Sequence, residues 1–363
     1  MPYAISAAGA ALSYAKETQR SALSHISGLS TRMRSRYMML DAITLRNLEI
    51  LRDIRGESNS TLAGVLDMTG TPMGSRLLLR ALASPLLDIN EINGRLDAVE
   101  FLYKTAGLRA ALGEKLRQCA DIERIAGRIS YGNVSPRDLV SLMRTLLLLP
   151  GIKSLFSEAP PAISGALADM KDLGDAAALI QGAIVNDPPA LARSGNVIRA
   201  GFNKQLDELR ELSGSGKQWI ANLQQSEREK TGIKSLKIGY NQVFGYYIEV
   251  TKPNVSLVPP HYERKQTTSN AERYTIPELR EKELLIQNAD ERLAGLESEI
   301  FNQVVGSLRA YVGDLQCASG GIAALDMYHA LSEVAATNNY VRPVLEHGSR
   351  IAIRDGRHPV VEL

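Results

Sequence analysis

Residues 234–270 read KSLKIGYNQVFGYYIEVTKPNVSLVPPHYERKQTTSN. In the first part, Leu236, Ile238 and Tyr240 alternate with Lys237, Gly239 and Asn241, which is the two-residue period of a strand. Tyr246, Ile248 and Val250 repeat the pattern against Tyr247, Glu249 and Thr251. The five residues Asn241 to Gly245 are short enough for a hairpin loop. Pro253, Pro259 and Pro260 then interrupt regular structure before a polar run, Arg264 to Asn270.

Both flanks read differently. Phe202, Leu206, Leu209, Leu212, Ile220 and Leu223 recur at helical spacing before the stretch. Leu285, Ala289, Leu293, Leu296, Ile300, Val304, Leu308, Tyr311 and Leu315 do so after it. Steps of three and four lay one apolar stripe along each helix. The first helix, about 203–230, would span roughly 40 Å at ~1.5 Å per residue. Pro277 can open the second, with Glu278, Glu281 and Glu283 near its positive end. The fold class expected is mainly α: a helical core and two long antiparallel helices that carry a small β-rich tip.

Charge gathers at that tip. Residues 231–270 hold five Lys/Arg and two acids, a net +3 in a chain of net +2, so the remainder sums to −1. Small donors beside lysines suit phosphate oxygens, which are bound without sequence readout. A patch of +3 is also compatible with an ordinary solvated hairpin.

The rest of the chain reads as helices. Helical segments are expected at 4–19, Asp41 to Leu51, Pro72 to Ala83, Asp88 to about Lys104, 107–118, 121–130, 136–149, 162–183 and 319–337. Strands are expected at Arg350–Arg354 and Pro359–Leu363. An apolar share of 44% supports a true core, and the low aromatic share of 5% suits helices packed by Leu, Ile, Val and Ala. No apolar run approaches the ~20 residues of a membrane span. With no secretory layout and two widely spaced cysteines, Cys119 and Cys317, the expectation is a soluble, cytoplasmic protein.

Catalytic motifs are not found. Ser213-Gly214-Ser215-Gly216-Lys217-Gln218 imitates a P-loop, but Glu211 stands where the first Gly belongs and Gln218 replaces the magnesium-binding hydroxyl. The five histidines show no metal spacing. No catalytic residue, cofactor site or metal site is expected in this chain.

Several stretches resemble the MutS family of DNA mismatch repair ATPases. IGYNQVFGYYIEVTK (238–252) and YERKQTTSNAERYTIPELREKE (262–283) resemble its clamp and second lever. LSYAKETQRSALSHI (12–26) resembles the end of the connector domain, and MMLDAITLRNLEIL (38–51) with residues 60–102 resembles the opening of the core. IAIRDGRHPVVEL (351–363) resembles the entry to the ATPase domain. The resemblance implies a middle piece: connector end 1–30, helical core 31–202, first lever 203–232, clamp 233–276, second lever and return 277–340, and ATPase start 341–363. It further implies a grip on the duplex DNA backbone by Lys237, Asn241 and Gln242 on the hairpin, with Arg264, Lys265, Gln266, Thr268, Ser269 and Asn270 on the returning segment. In the full-length family protein it implies ATP and Mg as cofactors, a second subunit, and a MutL-type repair partner. Two alternatives stay open: a helical scaffold that does not bind DNA when isolated, and a paralogue that embraces branched or recombination DNA.

Overall fold

A computed structural model of the chain describes residues 2–19, 34–57, 60–241 and 245–362. In chain order its helices begin with α1 (Pro2–Gln19), α2 (Ala42–Asn47), α3 (Leu62–Leu66), α4 (Pro72–Ala83) and α5 (Ile89–Lys104). Next come α6 (Ala106–Leu116), α7 (Ile122–Tyr131), α8 (Pro136–Lys153), α9 (Pro161–Asp169) and α10 (Gly174–Ala183). The long α11 (Lys204–Thr231) leads to strands β1 (Lys237–Asn241), β2 (Gly245–Thr251), β3 (Glu263–Thr267) and β4 (Ala271–Thr275). Then α12 (Pro277–Leu308) and α13 (Val312–Asn338) follow. The chain is mainly α with one small sheet, and it divides into two compact units, residues 1–181 with 304–363 and residues 182–303.

The first unit is organised by α13. Val312, Leu315, Ala318, Ile322, Leu325, Ala330 and Val334 are all buried, and from Gly321 to Ala330 the helix is covered on nearly every side, while Gln316 and Cys317 of its first turns are exposed. It packs against α4, α5, α6, α7 and α9. Side-chain caps fix where several of those helices start. The Thr71 hydroxyl accepts from Gly74 N at 3.0 Å, with Pro72 in the first turn. Asp88 accepts from Glu91 N at 2.9 Å, and Ser135 and Asp138 form a reciprocal capping box. Asp326 sits on α13 with no exposed surface and accepts from Gly70 N (2.9 Å), Thr71 N (2.7 Å) and the Thr71 hydroxyl (2.6 Å).

Four sequence expectations need correction. The single helix expected over 162–183 is two, because buried Met170 and Leu173 interrupt it and Asp172 accepts from Gly174 N at 2.9 Å to start the next. The helix expected from Asp41 to Leu51 stops at Asn47, and Glu49 takes a left-handed backbone with φ 47°. Tyr311 and Leu315 do not continue the second long helix. That helix ends at Leu308, a 3-10 turn covers Arg309–Tyr311, and α13 begins at Val312.

The fourth correction concerns Arg350–Arg354 and Pro359–Leu363. The described residues of both stretches are irregular or turn. A strand needs a neighbour for its backbone groups, and here Ile351 and Val361 are open to solvent instead. Val361 N closes a turn onto His358 O at 3.1 Å.

The second unit contains the two long helices and the sheet. Arg210 Nη2 donates to Glu297 at 2.9 Å, the Ser213 hydroxyl donates to Asp290 at 2.5 Å, and Lys282 Nζ lies 5.9 Å from the Trp219 ring. Partner numbers fall on α12 as they rise on α11, so the helices are antiparallel. The sheet runs in the order β1-β2-β4-β3, with every neighbour antiparallel. Its inner face joins Leu236, Ile248, Val250 and Tyr274 to Ile220 and Leu223 of α11 and Leu279 and Ile286 of α12.

Candidate nucleic-acid interface

Strand register decides where the candidate residues lie. Asn241 pairs with Gly245 at one end of the sheet, and Thr251 pairs with Ala271 at the other. The β1–β2 turn and the β3–β4 turn are therefore at opposite ends. β1 also runs back along α11: Arg228 Nε donates to Leu236 O at 2.6 Å, and Ile238 N donates to Gln224 at 2.8 Å. So the Asn241 end points back along the helix pair, and the 268–270 turn is at the far end.

The near end is held by α12. Glu283, on that helix, accepts from Tyr246 N at 3.0 Å. Its carboxylate occupies the space a Cβ on Gly245 would need, and Gly245 has φ +70°, so only glycine fits this turn. Lys265 Nζ reaches within 3.9 Å of the same carboxylate. Asn241 belongs to this near end, and Gln242 lies outside the described residues.

Across the outer face Arg273 satisfies its two cross-strand neighbours. Lys237, Glu249, Arg273 and Gln266 follow one another by strand pairing. Arg273 donates to Glu249 at 3.0 Å and to Gln266 at 2.9 Å, and lies 4.2 Å from the Tyr247 ring. Gln266 is thus spent within the sheet. Exposed Arg264 is 3.8 Å from Glu272. The Thr268 hydroxyl donates to Ala271 O at 2.8 Å and accepts from Ala271 N at 3.1 Å, which shapes its turn.

The far end is different. Lys234, Lys237 and Lys252 are exposed there and make no ion pair with a described residue. Lys252 N donates to Asn270 O at 3.1 Å, which joins the lysine's segment to the exposed turn at Ser269 and Asn270. Asn254 Nδ2 donates to the hydroxyls of Ser235 (3.0 Å) and Thr251 (3.2 Å), and so ties the Lys234 segment to the same end. Of the residues expected from sequence, Ser269 and Asn270 lie in this exposed turn, and Lys237 begins β1 at the same end of the sheet. Lys234 and Lys252 join them. Both were in the charge count, but nothing local in sequence marks them as unpaired.

A second carboxylate seats the sheet on α11. Glu227, 3% exposed, accepts from the Tyr262 hydroxyl at 2.7 Å and from Lys230 Nζ at 2.8 Å. Burial works to raise the Glu227 carboxyl, but the hydrogen bonds from Lys230 and Tyr262 outweigh it and hold it below the usual carboxylate range. Burial and that carboxylate together push the Tyr262 phenol up.

The sequence Ser213 to Gln218 is helical throughout, within α11. Its N–H groups run along the helix and cannot cradle a phosphate chain as a P-loop does, so this segment does not fit a nucleotide. Among the described residues no group of three or more His, Cys, Asp and Glu side chains could hold a metal ion, and no helix is long and apolar enough to cross a membrane.

Comparison with known proteins gives a consistent result. The family profile described as MutS domain III matches residues 43–332. The DNA mismatch repair protein MutS of Methanococcoides burtonii is 48% identical over the whole of this chain, which covers 42% of that protein. The MutS proteins of Caldanaerobacter subterraneus and Dehalococcoides mccartyi are 46% and 44% identical, again with 42% of each covered. The chain thus spans about two fifths of the length of the curated relatives it matches.

Proposed function

The chain belongs to the MutS family, and from that premise we propose that it is the part of a mismatch repair protein that grips the backbone of duplex DNA. The observation that carries this reading is the separation of charge in the sheet. Arg264, Lys265 and Arg273 face Glu272, Glu283 and Glu249, whereas Lys234, Lys237 and Lys252 are left open around an exposed polar turn. Lysines met by small donors bind phosphates wherever they occur along a duplex, so the contact is independent of sequence. Asn241 is the least favoured of the described sequence candidates, because it pairs with Gly245 at the other end of the sheet; Gln242 lies outside the described residues. Arg264, Lys265, Gln266 and Thr268 act by shaping and neutralising the sheet, with Lys237, Ser269 and Asn270 in contact.

In the whole protein we assign the two long helices to transmission. A packed helix pair moves as a unit about hinges at its ends. It would relay an ATP- and Mg-dependent change made elsewhere, in company with a second subunit and a MutL-type partner in the cytoplasm. The domain division inferred from the resemblance, with levers at 203–232 and 277–340 around a clamp at 233–276, is part of this proposal.

The competing reading is a scaffold that does not bind DNA alone. The neutralisation of Arg264 and Lys265 favours it, and one arm lacks the gain in effective concentration that two linked sites provide. Charge reversal separates the two. Lys234→Glu with Lys237→Glu and Lys252→Glu should weaken binding to a 30-mer duplex at low salt by about a hundredfold, from three lost phosphate contacts. Arg264→Glu with Lys265→Glu should cost about tenfold or less. Equal losses would refute the far-end site, and no binding by the unaltered chain at low salt would favour the scaffold.

A further inference from the structure

We propose that the helix pair of the second unit contains a built-in flexure at Ser213–Gly216, bounded by a rigid pin on each side. This inference does not depend on DNA binding. The first pin is Glu297 of α12, whose side chain is 2% exposed. It accepts from the N–H groups of Asn196 (2.9 Å), Val197 (2.8 Å) and Ile198 (2.9 Å), and from Arg210 Nη2 at 2.9 Å. One buried carboxylate thereby fastens α12, α11 and the 196–198 segment together. The second pin is the sheet junction, where Glu227 of α11 and Glu283 of α12 each hold the sheet.

Between the pins the composition changes. Ser213, Gly214, Ser215 and Gly216 occupy a full turn of α11. Glycine is among the poorest helix formers, and Gly/Ser pairs are recognised sites of helix kinking. A Cβ on Gly216 would meet Ile286 Cγ1 at 2.5 Å, so α12 closely approaches α11 there, and one turn earlier the buried Ser213 hydroxyl donates to Asp290 at 2.5 Å. Beside it the packing is thin. An open groove of about 620 Å³ is lined by Leu209, Leu212, Trp219, Ile286 and Ala289, and Leu212 is 61% exposed. Close contact on one side and missing contacts on the other make a pivot. Weak helix propensity and thin packing fall on the same turn, and both lower the local opening free energy there. Opening of this turn would let α11 bow against the continuous α12 while both pins stay intact.

Amide hydrogen exchange on the intact chain tests this. Amides of 213–219 are expected to exchange at least tenfold faster than those of 223–229, although both lie within one helix. Gly214→Ala is sterically free, since no heavy atom lies within 4 Å of the added Cβ. It should slow exchange at 213–219 about fivefold, the usual difference between glycine and alanine in a helix. Gly295→Ala, equally free of contacts on α12, is the control and should leave 213–219 unchanged. Uniform exchange along α11, or a Gly214→Ala effect no larger at 213–219 than elsewhere in the helix, would overturn the flexure.

Discussion

Asp326→Ala is expected to destabilise the α13-centred unit by about 3–5 kcal/mol, the cost of breaking a buried charged network by removing one partner. The carboxylate receives three hydrogen bonds at 2.6–2.9 Å, two of them from backbone N–H groups at the start of α4. Without it those donors stay buried with no acceptor, and each such group costs roughly 1–3 kcal/mol. Burial lifts the Asp326 carboxyl above its ordinary range, against the pull of Thr71 and Gly70. A raised folded pKa means that the ionised side chain bears its desolvation cost once pH passes above that pKa, so acid relieves the cost. Asp326→Asn keeps one acceptor oxygen and carries no charge, and should lose less than half as much at neutral pH. Urea unfolding followed by circular dichroism measures both. A shift below about 1 kcal/mol for the alanine variant would show that α4 is held by apolar packing alone.

Glu297→Ala is expected to have a comparable effect on the second unit, again about 3–5 kcal/mol. Val197 and Ile198 are buried, so their N–H groups cannot turn to water when the carboxylate is lost. Arg210 keeps Ile198 O at 2.6 Å and Asp207 at 3.3 Å, so the damage should concentrate on residues 196–198 and the adjoining turns of both helices. Exchange of those three amides should rise most, and strand amides in β2 and β4 should change little. Glu297→Gln retains a carbonyl acceptor and should be milder. Loss of protection spread evenly over the sheet would contradict a local pin.

The legibility of the chain follows from how local each signal is. Helix starts at Pro72, Asp88 and Pro136 were readable because cap and helix are adjacent in sequence. The β1–β2 hairpin was readable from alternation on both arms. Strands β3 and β4 are not legible in the sequence, because ERKQT and AERYT are polar and place few apolar residues on the covered face. The break at Met170–Leu173 is hidden for the opposite reason: both residues are apolar and continue the helical pattern, yet they are buried in a short non-helical link.

At the candidate interface, the net positive charge could be counted but not assigned. Glu272 and Glu283, which meet Arg264 and Lys265, lie beyond the 231–270 stretch that carries the net +3. That the two turns face opposite ways follows from the pairing of β2 with β4, whose residues are twenty or more positions apart. Hydrophobic alternation on one strand carries no information about that pairing.

The most direct test of the far-end grip is the salt dependence of duplex binding by the intact chain, measured on matched DNA and on the same DNA with one mismatch. Three phosphate contacts from Lys234, Lys237 and Lys252 should give a slope of log K against log salt of about −2.7, at ~0.9 per contact, identical for the two duplexes and near zero in the triple glutamate variant. A slope unchanged by that variant, or affinity that depends on the mismatch, would contradict backbone gripping by the far end of the sheet.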